Sequence, residues 1–275
     1  MRPLGTRFRL GNAITDEQRA FLEVYGYLHF EGVATKDEVS TIYSARDRVE
    51  RDWLAENRRD VNGIPLFFGR GEHGGTCVQR MPFSSVFSET IHSFVRDERF
   101  EPIRLLVGDD ARVGDEEKDG VVFNKFVNVK GSVYGRLGWH TDGLRDLFYL
   151  RMPQQMLNVG LHFDHITRED GGLRLIPGTH EQGFLSMCFR FPYFVWHRES
   201  RHEICVETKP GDLTVHDGRL WHRVARSAKT GSASIRRSMY VPYLTGPYEP
   251  KGKRSKVPLY HHLGRLMRSF VFKGD

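Results

Sequence analysis

Gly138-Trp139-His140-Thr141-Asp142-Gly143 sets a histidine and an aspartate two positions apart. On an extended chain two such side chains point to one face. One imidazole and one carboxylate on a common face are two of the three ligands of a 2-His-1-carboxylate facial triad, the arrangement that holds non-heme Fe(II) and leaves positions open. Any His-x-Asp matches this much, so the stretch gains its meaning only from residues further along the chain.

A second histidine comes in Pro210-Gly211-Asp212-Leu213-Thr214-Val215-His216-Asp217-Gly218-Arg219-Leu220-Trp221-His222. Pro-Gly-Asp predicts a turn, then a strand to His216, a Gly-containing hairpin, and a return strand opened by Trp221-His222. His222 lies 82 positions after His140 (222 − 140), so their contact requires a folded sheet. Fourteen positions further (236 − 222) comes Arg236, beside Arg237. Neighbours on a strand face opposite ways, so only one of the two can grip a carboxylate bidentately near a metal.

Working outward, the chain from residue 121 reads as short β-rich runs broken by Gly, Pro and Asp: 121–129, 156–163, 172–176, 204–208, 212–216, 221–225 and 234–243. Before it, Thr15-Asp16-Glu17-Gln18 and Thr35-Lys36-Asp37-Glu38 are capping boxes that open two helices, with a short strand at 26–30 between them. The second helix carries Val39, Ile42, Tyr43, Val49 and Trp53 on one stripe. The Gly-rich residues 60–82 predict a surface loop, 84–95 and 99–107 two short helices, and the acidic 109–120 a solvated linker within one domain. The fold class is therefore mainly β with α: a sandwich or jelly roll (121–245) under an N-terminal helical cover (1–120), with a basic tail and helix at 246–275, all in a single domain of 275 residues.

A net charge of +6 and a pI near 9.3 favour anionic partners, but the basic residues are spread and match no nucleic-acid-binding motif, so none is expected to bind. No apolar run reaches the length of a membrane span, and the N-terminus lacks the apolar core of a secretion signal. Cys77, Cys188 and Cys205 are odd in number and scattered, as buried thiols of a reducing compartment would be, so a cytoplasmic location is expected.

Asp170-Gly171-Gly172-Leu173-Arg174-Leu175-Ile176-Pro177-Gly178-Thr179-His180 lies between the two histidine stretches. With it the sequence resembles the phytanoyl-CoA dioxygenase family of Fe(II)/2-oxoglutarate oxygenases: a His-x-Asp, a GGL-x-x-IPGSH strand and turn, a GD…H strand pair, then an arginine. The resemblance covers roughly 25–243, and Thr179 stands where serine is common. It implies a double-stranded β-helix, Fe(II) held by His140, Asp142 and His222, and 2-oxoglutarate and O2 as co-substrates. It also implies that Arg236 binds the distal carboxylate of 2-oxoglutarate and that Lys125 faces that co-substrate. The reaction it implies is hydroxylation of an unactivated C–H bond with release of succinate and CO2. A jelly-roll metal isomerase of the cupin type could share the His/Asp/His set but would not need Arg236.

His162-Phe163-Asp164 is a second His-x-Asp, but Asp164 lies only six positions before Asp170 (170 − 164), where the resemblance implies a plain strand end; the resemblance therefore implies that His140 and Asp142, about thirty positions before the turn, hold the iron. His162 and His216 are then core or supporting residues, and His180 caps the Pro-Gly turn. The aromatic stretch 184–196, with Phe191, Tyr193 and Trp196, reads either as a substrate-lining lid or as a flap packed on the barrel. In the tail, Lys251, Lys253, Arg254 and Lys256 precede Leu259, Leu263, Leu266, Met267 and Phe270 at helical spacing: a packed helix, or a basic amphipathic face for anionic lipid or an anionic substrate. The substrate expected is a small or lipid-linked molecule, anionic ones included.

Overall fold

The computed structural model describes residues 1–256, so the amphipathic stretch from Leu259 to Phe270 lies outside the described residues. Helix α1 (Asp16–Tyr25) leads into β1 (Tyr27–Phe30) and helix α2 (Lys36–Ala55). Both predicted capping boxes form, with Thr15 and Thr35 each accepting from the backbone of the residue three positions on. Then come β2 (Asp60–Val61), β3 (Ile64–Pro65), β4 (Phe67–Arg70), β5 (Thr76–Met81), α3 (Glu89–Val95), α4 (Glu101–Arg104) and β6 (Arg112–Val113). The remainder is β7 (Val122–Phe126), β8 (Leu137–His140), α5 (Leu144–Phe148), β9 (Met156–His162), β10 (Gly172–Leu175), α6 (Phe184–Phe189), β11 (Ile204–Cys205), β12 (Leu213–Asp217), β13 (His222–Ala225) and β14 (Arg236–Leu244).

Two antiparallel sheets face each other. The major one runs β1-β12-β9-β14-β7-β5-β4, with β6 also paired to β14; the minor one runs β11-β10-β13-β8. Strand alternation gives the major sheet two unlike faces. Leu161, Met239, Phe123 and Met81 sit opposite one another across four strands and pack under α2 and α3 in one large core. One position along, His162, Ser238, Asn124 and Arg80 form the neighbouring row and point the other way, toward the minor sheet. Fully buried side chains of the core, such as Trp53, Phe83 and Leu157, stabilise by roughly 1.5–3 kcal/mol each. The layer between the sheets is polar by contrast.

Two expectations for the N-terminal half need correcting. Residues 60–82 are not a surface loop: β4 and β5 form a hairpin that extends the major sheet, with Val78 and Met81 fully buried. The glycines of 69–75 mark only its turn, and the six-residue strand beside them is short enough to be lost in their shadow. The 109–120 segment is not a solvated linker either. Asp115 and Glu117 are buried, Asp115 bonded to Ser85 and Arg96 and Glu117 to Arg112, while Asp119 pairs with Arg80. Asp115, Glu117 and Asp119 are structural counter-charges, which composition alone reads as solvated, while Asp109, Asp110 and Glu116 are exposed.

β8 is an edge strand, and residues 194–196 cover it. The Phe194 amide donates to the Trp139 carbonyl and the Trp139 amide to the Trp196 carbonyl, both at 2.9 Å. Gly138 is required there, because a Cβ at this position would lie 2.4 Å from the Phe194 carbonyl oxygen.

Candidate metal and co-substrate site

β13 pairs with β8 so that His222 lies directly opposite His140, with ring centroids 4.1 Å apart. Asp142 joins them by a different route from the one strand alternation suggested. β8 ends at His140, and the chain turns so that the Asp142 amide donates to the Gly218 carbonyl at 2.7 Å. That bond brings Asp142 to the hairpin between β12 and β13, and one ligand atom from each of His140, Asp142 and His222 then falls within 4.8 Å of the others. No other such group of three occurs among the described residues.

Each histidine has its tautomer fixed by the backbone just before it. His140 Nδ1 lies 2.8 Å from the Gly138 carbonyl and His222 Nδ1 2.9 Å from the Leu220 carbonyl. A carbonyl can only accept, so each Nδ1 carries the proton and each Nε2 offers its lone pair. Burial lowers both imidazole pKa values, and the opposing pull of Asp142 does not restore them. Burial would raise the Asp142 carboxyl, but the rings of His222, His216 and His140 around it outweigh that and hold it below its ordinary value. Two neutral imidazoles and one carboxylate, all deprotonated at their free atoms, are a donor set suited to Fe(II).

The supporting contacts were only partly legible in the sequence. Asn158 Nδ2 donates to Asp142 Oδ2 at 3.1 Å and steers the carboxylate, and His216 Nε2 lies 3.6 Å from the same oxygen. Asn158 was missed, although polar residues at alternate positions of an otherwise apolar β9 (Asn158, His162) and β12 (Thr214, His216) are the mark of a polar interior. We expect Asn158→Ala to weaken Fe(II) binding by about ten- to a hundredfold, as loss of an orienting partner does at other metal sites; an unchanged titration would show that Asp142 needs no such guide. Thr179 in place of serine costs nothing here. Its hydroxyl donates to the Ile176 carbonyl and accepts the Trp221 amide, fixing the start of β13 just before His222.

Arg236 points between the sheets and is 3% exposed. Its Nε donates to the Ser234 carbonyl at 3.3 Å, Nη2 to Gly135 at 2.7 Å and Nη1 to Ala225. Three of five guanidinium N–H groups are thus used, and one remains on each terminal nitrogen, the fork that binds a carboxylate through two bonds. Among the described residues no carboxylate pairs with it, and burial pushes its pKa down to about 10. Gly171 makes room for it: a Cβ there would sit 2.7 Å from Nη1. Arg237 faces the other way, bonded to Asp164 with Nε at 3.0 Å and stacked on Tyr43.

Other expected site residues lie elsewhere. Lys125 is a correction: it is opposite Arg237 in the register, on the helix-covered face, and pairs with Glu72 at 2.9 Å. The residue of β7 on the inner face is Asn124. The second His-x-Asp is split, with Asp164 on Arg237 and His162 bonded to Thr214 Oγ1 at 2.9 Å, its pKa pushed down to about 3 by burial. His180 does not cap its turn but reaches the Glu23 carbonyl near the end of α1. Phe191 stacks on Trp139 and, with Tyr193, packs against Trp221 on the outer side of the minor sheet; Trp196 carries Arg198 on its ring. For these three, the packed-flap reading describes the geometry. The aromatic that meets the site is Phe194, 4.8 Å from the His140 ring.

Two facing antiparallel sheets with a His/Asp/His cluster between them, and a buried arginine that bonds no carboxylate among the described residues, define a jelly-roll metalloenzyme. The phytanoyl-CoA dioxygenase family profile matches residues 22–238, and the chain belongs to that family of Fe(II)- and 2-oxoglutarate-dependent oxygenases. A probable alpha-ketoglutarate-dependent hypophosphite dioxygenase of Stutzerimonas stutzeri is 22% identical over 167 residues, which are 60% of this chain and 53% of that protein, so the match spans about half the relative's length. Among solved structures, iron-bound EctD from S. alaskensis aligns with a TM-score of 0.62 at 18% identity, covering 91% of this chain and 85% of EctD. The alpha ketoglutarate dependent carbocyclase SnoK from nogalamycin biosynthesis aligns at 0.61 and 17%, covering 92% and 91%. The epimerase SnoN from the same biosynthesis aligns at 0.59 and 18%, covering 87% and 86%. These three share the fold.

Proposed function

We propose that this protein is an Fe(II)/2-oxoglutarate-dependent dioxygenase that hydroxylates an unactivated C–H bond of a small or lipid-linked molecule. His140 Nε2, His222 Nε2 and one Asp142 oxygen hold the metal; Arg236 receives the distal carboxylate of 2-oxoglutarate on its two free N–H groups. The observation that carries the reading is the convergence of three deprotonated donors, each held by its own backbone or amide contact, with a buried arginine that no carboxylate among the described residues bonds. Bound together, Fe(II), 2-oxoglutarate and O2 supply a two-electron oxidation, in which one oxygen atom enters the product and the other the succinate formed with CO2. The protein's share is positional. Asn158 and Gly218 hold Asp142, Thr179 sets His222, and Gly171 leaves space for Arg236. Asp142 favours hydroxylation over halogenation, since a carboxylate occupies the place a halide would need.

The test is a survey of candidate molecules for succinate release above the uncoupled background, with and without Fe(II). We expect release to depend on both Fe(II) and 2-oxoglutarate. Metal-dependent turnover that ignores 2-oxoglutarate would instead indicate a non-oxygenase isomerase on the same fold.

A further inference from the structure

Phe148, Tyr149, Phe189 and Trp196 are the large exposed aromatic side chains among the described residues, and all four belong to two segments that border the metal cluster. The first leaves directly from Gly143. From the last residue of α5 it runs Phe148-Tyr149-Leu150-Arg151-Met152, five consecutive exposed residues, with Leu150 at its tip 82% exposed and held at φ +55, a region leucine avoids. The second comprises α6 and the chain from there to Arg198, where Leu185 is 70% and Phe189 80% exposed. The second is tied to the turn from which the first departs, on the outer side of the minor sheet: Tyr193 Oη donates to the Met187 carbonyl of α6 at 3.1 Å and lies 2.8 Å from Thr141 Oγ1, one residue from Asp142. Singly exposed apolar residues are ordinary on a protein surface. A run of them beside the site, with a second cluster tied to the same turn, is not.

We propose that these two segments form a membrane-docking surface beside the strand that carries His140, and that its partner is the interfacial layer of a bilayer containing anionic lipid. The chemistry is that of an interfacial contact: apolar tips long enough to enter the acyl boundary, with exposed Arg151, Arg190 and Arg198 among them to meet phosphate. Arg198 lies over the Trp196 ring at 5.2 Å, a pairing of cation and aromatic suited to the headgroup level. Exposed Glu199 and half-buried Asp146 are the acids near these arginines, so the surface stays basic, like the whole chain at +6. A second copy of the chain would set arginine against arginine. The proposal takes from the function above only the location of the site.

The experiment is flotation of the full chain with vesicles of phosphatidylcholine alone and of equal parts phosphatidylcholine and phosphatidylglycerol. We expect binding to the mixed vesicles and much weaker binding to phosphatidylcholine. Leu150→Asn combined with Phe189→Ser should lower binding at least about tenfold, since each removes an apolar side chain worth more than that when buried. Asparagine tolerates the left-handed backbone at 150, so folding is kept. Arg151→Glu should lose the preference for the anionic vesicles. Fe(II) affinity should be the same in all variants, which separates this test from that of the metal site. Absence of binding by the parent chain, equal binding by the double variant, or a concentration-dependent dimer that the double variant abolishes would each overturn the proposal.

Discussion

Arg236→Leu is expected to raise the 2-oxoglutarate KM by at least about a hundredfold, and Arg237→Leu to leave it nearly unchanged. A buried ion pair that loses its cation costs about 3–5 kcal/mol, which is roughly two to three and a half decades in affinity. Arg236 is the residue to which this applies, because it is buried, uses only three of its donors, and has no carboxylate partner among the described residues. Arg237 already holds Asp164, with both side chains partly exposed, so its loss should lower thermal stability by less than a fully buried pair would, and leave the co-substrate alone. Because Arg236→Leu also strands three carbonyls, its Fe(II) affinity is the control for an intact site. Comparable KM changes in the two variants would mean that β14 delivers neither arginine to the co-substrate.

His140→Ala and His222→Ala are each expected to abolish measurable Fe(II) binding, while His162→Ala leaves it largely intact. Two remaining donors cannot hold the ion against water, and neither His162 nor His216 belongs to the cluster of three. His162 has its Nε2 engaged by Thr214 and loses only that contact. Isothermal titration or the absorbance of a Co(II) surrogate reads the ranking directly; loss of metal in His162→Ala with retention in His140→Ala would invert the choice between the two His-x-Asp pairs.

The strands that carry chemistry were legible because their signals are local. Pro210-Gly211-Asp212 fixes a turn, the Gly218 hairpin a reversal, and both predicted capping boxes formed with the expected partners. What the sequence hides is partnership across the sheet. Lys125 and Asn124 are neighbours in sequence, and only the register with Arg237 and Ser238 reveals which one faces inward. The acidic 109–120 reads as solvated until Arg96, Arg112 and Arg80 are found against it. Asp142 is a subtler case: its place in the site could be read, but alternation along a strand was the wrong reason, since the strand has ended and a bond to Gly218 does the work.

Both candidate iron-binding histidines are tied to the backbone carbonyl two residues before them. Each therefore presents its lone pair without waiting for an ion, so the pocket is ready-made and unselective. Co(II), Ni(II) and Zn(II) all bind nitrogen–oxygen sets more tightly than Fe(II) does, and nothing in a rigid, ready-made trio penalises them. Loading with iron would then be decided by the supply of metal as the chain folds. Protein recovered from a zinc-rich medium should be well folded, hard to melt, and inert until stripped and refilled.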